Sequence, residues 1–254
     1  MCLRIWEGSL LVFVGITRAT QIRLLIVLAL AVVVTLARAC VNRQLASLVA
    51  SRLKPLSRVA IEEPLVSLTF DVTFGEVAPT QVLDALLASG ARCTFFVAGP
   101  WARAHPDVVR RIVKEGHELG SQGYWHENLS TSSPERIRES IVKNHDILKA
   151  ISGVEPSLFR PPNGDFDDRV IKTALEVGYT TIVWSLDSFD WRTTNTEYVV
   201  NRVTGRAKPG DIVRLHAGDL AVETAGALPA ILKGLSSRGL RVVPVSELIR
   251  SSPD

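Results

Sequence analysis

The sequence predicts an α/β domain built on a parallel sheet, and two observations carry that reading. From Pro64 onward, short apolar runs of strand length alternate with longer segments whose apolar residues recur at helical spacing. Polar and charged residues then collect just after the apolar runs, as they do where parallel strands end on a common functional face. Such alternation demands right-handed crossovers and leaves two architectures, an open sheet or a barrel.

The elements follow in order. The first strand candidate, 65–70, runs into Asp71, and the helical pattern over 79–89 stops at Gly90. A strand over 93–98 precedes helical spacing over 100–115, closed by Gly116, with His105-Pro106 reading as a turn inside the helix. The strand 118–121 leads into Gln122-Gly123-Tyr124-Trp125-His126. Helices over 133–151 and 167–177 start at Ser133-Pro134 and Asp167-Asp168, residue types that cap helix starts, and end before Gly153 and Gly178. Between them lies Phe159-Arg160-Pro161-Pro162-Asn163-Gly164. A strand over 180–185 precedes Asp187, Asp190 and Trp191, and a helix over 196–206 follows. The strand 211–216 ends on His216, and a helix over 224–238, Gly239 and a strand over 240–244 complete the pattern.

The 254 residues are 46% hydrophobic and 22% charged, enough apolar material for one sizeable core and too much for a disordered chain. A net charge of +3, with no basic arm interleaved with aromatics, argues against nucleic acid as a partner. Three cysteines, Cys2, Cys40 and Cys93, are too few for a disulfide framework or a cysteine zinc site.

The N-terminal region differs in composition. Residues 24–37 are uncharged and apolar between Arg23 and Arg38. The run is shorter than the ~20 residues a full span prefers, although flanking arginines can snorkel. It fits the hydrophobic region of a signal peptide, with Ala37-Arg38-Ala39 as a cleavage candidate, or an uncleaved membrane anchor; arginines on both sides leave orientation open. The expected organisation is therefore a signal or anchor segment over 1–40, a polar stalk over 41–63, and a catalytic-size domain over 64–254, outside the cytoplasm.

A carboxylate, two histidines, an arginine and two further aspartates thus fall at successive strand ends. Thr69-Phe70-Asp71, Gly99-Pro100-Trp101-Ala102 and the segment from His117 to Asn128 together resemble the polysaccharide deacetylases of the NodB homology domain, carbohydrate esterase family 4, and among them the sporulation-associated branch. The resemblance runs from about Val66 to Ile249. It implies a distorted (β/α) barrel and metal-assisted hydrolysis of N-acetyl groups on an amino-sugar polysaccharide such as peptidoglycan or a chitin-like glycan. It further implies Asp71 as general base with Arg160 holding its carboxylate, and the backbone N–H of Asn163 at the oxyanion. His216 would be the general acid, paired with Asp190, and Trp191 and Leu215 would wall the acetyl pocket. Asp187 lies nearby, with no role separable from a loop cap.

Active members of that family bind a divalent metal, commonly zinc or cobalt, through an aspartate directly after the catalytic one and two histidines four residues apart. Here those positions are Val72, Gln122 and His126, so a single family ligand remains. A catalytic zinc normally takes three protein ligands, and an amide oxygen suits it poorly. Glu76 and Glu127 are the carboxylates nearest in sequence that could substitute. Two function classes follow: a deacetylase-like hydrolase, and a metal-free pseudoenzyme that binds cell-wall glycan or an envelope partner. A purely structural envelope protein has only the N-terminal segment in its favour.

Overall fold

The structure, a computed structural model, describes residues 18, 22, 25–38 and 54–252. The chain divides into two units, Met1–Arg52 and Leu53–Asp254. In the first, residues 25–38 form a helix, α1. Among the described residues no helix is long and apolar enough to cross a membrane. Of the segment expected over 1–40, Arg18, Ile22 and residues 25–38 are described, all helical; the others, with Cys2 and Cys40, lie outside the described residues.

The second unit is an eight-stranded sheet wrapped by helices. Its elements are β1 (Leu65–Val72), α2 (Val77–Ser89), β2 (Thr94–Val97), α3 (Gly99–Ala104), α4 (Pro106–Lys114), β3 (Glu118–Ser121), α5 (Pro134–Ser152), β4 (Leu158–Phe159), α6 (Asp168–Glu176), β5 (Thr180–Thr181), β6 (Leu186–Asp187), α7 (Thr196–Arg206), β7 (Ile212–His216), α8 (Glu223–Ser237), β8 (Arg241–Val242) and α9 (Val245–Arg250). The strand order is β5-β4-β3-β2-β1-β7-β6, with β8 paired to the start of β1, and every pairing is parallel. The two ends of this order, β5 and β6, are consecutive in the chain, so residues 182–185 carry the backbone from one edge of the sheet to the other. Leu56 bridges the same gap, with its backbone N–H donating to Thr181 and its carbonyl accepting from Val183. This is the distorted barrel the resemblance implies.

The crossing explains why the strand expected over 180–185 is broken: its middle leaves the ladder to span the gap. The expected helix over 100–115 is likewise two helices. His105, at φ −126° and ψ 55°, departs from helical geometry because the ring of Pro106 disfavours the α region for the residue before it. β4 and α9, of two and six residues, are too short to show a period and were not expected. The stalk expected over 41–63 ends early. Val59 is buried, and Arg58 pairs with the buried Asp211, so residues 54–63 belong to the barrel; residues 41–53 lie outside the described residues.

β1 shows how the core positions the site. Its eight residues are all buried, and alternate side chains face opposite ways. Val66, Leu68, Phe70 and Val72 join the larger core with Val82, Leu83 and Leu86 of α2 and Leu228 and Ile231 of α8. Each such fully buried side chain contributes about 1.5–3 kcal/mol. On the other face, Leu65 packs in the barrel interior with Phe96, Ile182 and Ile212. Ser67 and Thr69 donate their hydroxyls to the Val243 and Val213 carbonyls, which leaves Asp71 as the last interior residue of the row.

Candidate active site

Register delivers the charged residues to one end. Within the ladder Asp71 lies opposite His216 and Thr69 opposite Arg214, so positions 71, 214 and 216 share the interior face at the carboxyl ends of the strands. A cavity of about 360 Å³ opens there, within the range of small-ligand sites. Asp71, Gln122, His126, Asn163, Trp191, Arg214 and His216 line it, together with Thr73, Phe74 and Leu220.

Asp71 is held from two sides. Arg160 Nη1 donates to its Oδ1 at 2.9 Å, and Arg214 Nε donates to its Oδ2 at 2.9 Å. Burial alone would raise the Asp71 carboxyl, but Arg160 and Arg214, with His216 beyond them, bring it below the usual carboxylate range. Arg160 is itself 0% exposed and stacks over the Phe96 ring at 4.1 Å. Arg214 stacks over Trp184 at 4.1 Å, and its Nη1 lies 3.5 Å from Asp187 Oδ2. Asp187 also accepts from the Phe189 backbone N–H at 2.8 Å, so it is a loop cap and an arginine partner at once.

His216 is oriented by Asp190. Asp190 Oδ1 lies 2.7 Å from His216 Nδ1, while Oδ2 accepts from the His216 backbone N–H and from the Thr224 hydroxyl, each at 2.7 Å. With Nδ1 engaged, Nε2 is the ring nitrogen left for a ligand in the cavity. His126 stands across the site with its ring edge-on to Phe74. Burial lowers its proton affinity and Asp71 opposes, but Arg214 and His216 add to the lowering, so it is a neutral imidazole at neutral pH.

Of the expected pocket residues, Asn163 and Trp191 are on the cavity wall. Asn163 sits in a short turn at φ 59°, with its side-chain amide donating to Asn128 Oδ1 at 2.9 Å. Leu215 is not on the wall. Alternation along β7 turns it away from Arg214 and His216 into the helix-side core, where it is fully buried, and Leu220, 78% exposed, lines the cavity instead. Leu220 is placed by a contact between two rim loops. Asp219 accepts from the Ala78 and Glu76 backbone N–H groups, and Gly75 (φ +94°) packs against it so closely that a Cβ would fall 2.4 Å from its carboxylate.

The donors do not form a metal site of the family's kind. Val72 is fully buried in the helix-side core, off the cavity wall. The Gln122 amide oxygen already accepts from the Thr73 hydroxyl at 2.7 Å, and both Asp71 oxygens are taken by guanidinium groups. Glu76 stands at the exposed N-terminus of α2 and Glu127 pairs with Arg136, and neither lines the cavity. Among the described residues no three His, Cys, Asp or Glu side chains are grouped as metal ligands. The residues at this rim do not fit a catalytic dication.

Sequence reasoning passed over Arg214, Trp184 and Thr73. Arg214 was legible: two residues before His216 in a strand, it must share the face of His216. The other histidines serve elsewhere. His117 Nδ1 accepts from the Cys93 backbone N–H at 3.2 Å, while its buried Nε2 makes no hydrogen bond and lies 3.9 Å from Glu115 Oε2. His145 meets the Tyr179 hydroxyl at 2.8 Å, and His105 packs on Trp101.

Residues 58–182 match the family model for polysaccharide deacetylase. The chain is 39% identical over 210 residues to a peptidoglycan-N-acetylglucosamine deacetylase of Bacillus cereus, covering 80% of this chain and 98% of that one. It is 31% identical to the peptidoglycan-N-acetylmuramic acid deacetylase PdaC of Bacillus subtilis, covering 73% of this chain and 39% of that one. Among solved structures it resembles a CE4 family pseudoenzyme from Bacillus anthracis, with a TM-score of 0.75 and 28% identity over 79% of this chain and 70% of that one. A mutant of that pseudoenzyme with restored enzymatic activity superposes equally well, at a TM-score of 0.75 and 29% identity, covering 79% of this chain and 73% of that one.

Proposed function

The chain belongs to the polysaccharide deacetylase family, and from that premise we propose that its cavity binds N-acetylated glycan of the peptidoglycan type outside the cytoplasm, with little hydrolysis of its own. One observation carries this reading. The cavity keeps the His216–Asp190 pair, while both oxygens of the carboxylate expected to act as base are held by guanidinium groups.

In this reading Trp191 and Phe74 offer apolar surface to a sugar face, and the Asn163 backbone N–H and His216 Nε2 receive the acetamido oxygen and nitrogen. Asp71, held below the normal range by Arg160 and Arg214, is a poor acceptor for a proton of water, whose pKa of about 15.7 is brought to about 7 only by a bound metal. The groups that orient the ligand are kept and the group that activates water is disabled. Residues 1–40 serve, in the same proposal, to export the domain or hold it at the membrane.

Calorimetric titration with chitooligosaccharide and soluble peptidoglycan fragments, run beside an acetate-release assay with added zinc, tests the reading. Saturable glycan binding without acetate release supports it. Rapid zinc-dependent acetate release by the unmodified protein overturns it in favour of an active hydrolase, and absence of any glycan binding overturns both.

A further inference from the structure

Arg214 stands between two carboxylates, Asp71 and Asp187, at the wall of the cavity. Its guanidinium is nearly buried, with the side chain 12% exposed, and it lies on the cavity wall rather than in the core. Three contacts fix it there: Asp71 Oδ2 at 2.9 Å, Asp187 Oδ2 at 3.5 Å and the face of Trp184 at 4.1 Å. Such a group is permanently charged and cannot step aside by losing its proton. It also occupies the oxygen of Asp71 that Arg160 leaves open.

From this arrangement we infer that Arg214 is a resident cation that closes the site to divalent metal: it supplies the positive charge beside Asp71 and, by charge and by occupancy of Oδ2, keeps a dication out. Loss of ligands at positions 72 and 122 and the presence of Arg214 are then two separate barriers. Restoring an imidazole at position 122 lowers the first in part and leaves the second. Removing Arg214 as well frees Asp71 Oδ2, so that Asp71, position 122 and His126, which all line one cavity, present a carboxylate and two imidazoles. The inference concerns the metal alone and stands whether or not the cavity takes glycan.

The test is zinc titration of the full chain by calorimetry, in three variants: Gln122→His, Gln122→His with Arg214→Leu, and Gln122→His with Arg214→Lys. Lysine keeps the charge, whereas leucine removes it. The variant with leucine is expected to bind zinc at least ~10-fold more tightly than Gln122→His alone, the scale on which neighbouring groups tune a metal site. The variant with lysine is expected to stay as weak as Gln122→His. Should thermal melting show that leucine is not tolerated, Arg214→Ala provides a smaller neutral side chain that likewise leaves Asp71 Oδ2 without its donor. Zinc affinity unchanged by loss of the charge overturns the inference, and so does an equal gain with lysine. Glycan titration of the same variants reports separately on the binding reading.

Discussion

Asp190 grips His216 at two points, the ring Nδ1 and the backbone N–H, each at 2.7 Å, and is itself anchored by the Thr224 hydroxyl from α8. A carboxylate so placed fixes both the position of the imidazole and the nitrogen that carries its proton. Neutral His216 therefore holds its hydrogen on Nδ1 and turns a bare Nε2 toward the cavity.

Replacing Asp190 with alanine should release that tautomer. Nitrogen-15 NMR of the ring is expected to show the proton on Nδ1 in the unmodified protein and a shift of population toward Nε2–H in Asp190→Ala. The backbone N–H of His216 and the Thr224 hydroxyl lose their acceptor, so the variant should be less stable by about 1–3 kcal/mol in urea denaturation. An unchanged ring spectrum would mean that the carboxylate only packs.

Acid should lower the stability of the protein in two pH windows. Burial lowers His117, against the pull of Glu115, and it lowers His126. Both therefore favour the folded state while neutral, and that contribution is lost as pH falls below the unfolded value of about 6.5. Asp71 is also depressed, so its contribution is present above about 3.9 and disappears as pH falls further. Denaturation midpoints measured from pH 8 to pH 2 should decline in the first window and again in the second. Asp71→Asn should flatten the second decline. It should also destabilise the protein at pH 7 by about 3–5 kcal/mol, because it strips Arg160 of its charge partner in a dry site.

How much of this was legible in the sequence depends on how far each feature reaches along the chain. The alternation of periods gave the architecture. β3 at Glu118–Ser121 and α7 at Thr196–Arg206 match their expected bounds because Gly and cap residues punctuate them. The pairing of Arg160 with Asp71, 89 positions apart, came only through the family resemblance, since no local pattern encodes it. The crossing at 182–185 and the break at His105 are consequences of closing a barrel and of a single proline ring. The placement of Leu215 was misjudged by one step of strand alternation, and the same alternation, applied to β7, would have found Arg214.

Cys93 offers a check on the core. It is the free cysteine among the described residues, buried just before β2, and burial pushes its thiol well above the usual range. A bulky maleimide should leave Cys93 unmodified in the folded protein for hours and label it within minutes in 6 M guanidinium, as read by mass spectrometry of the peptide that contains it. Rapid native labelling would show that the sheet near β2 opens to solvent.

Two neighbouring positions could carry a carboxylate added beside His126. The family's spacing points to position 72, but Val72 is fully buried, ends β1 opposite Val97 and belongs to the core that faces the helices. Thr73 is the next residue, lines the cavity and already touches the Gln122 side chain at 2.7 Å. A carboxylate at 72 would be buried without a partner, which should cost about 3–5 kcal/mol, whereas Thr73→Asp should cost less than about 1 kcal/mol at a partly exposed wall position. Urea denaturation of the two single variants gives the first comparison. Zinc titration gives the second: in a background of Gln122→His with Arg214→Leu, adding Thr73→Asp should tighten zinc binding more than adding Val72→Asp. If the order is reversed, and Val72→Asp both folds well and binds zinc more tightly, then the end of β1 turns its last side chain into the cavity. The family's ligand spacing, rather than the alternation of the strand, would then govern this rim.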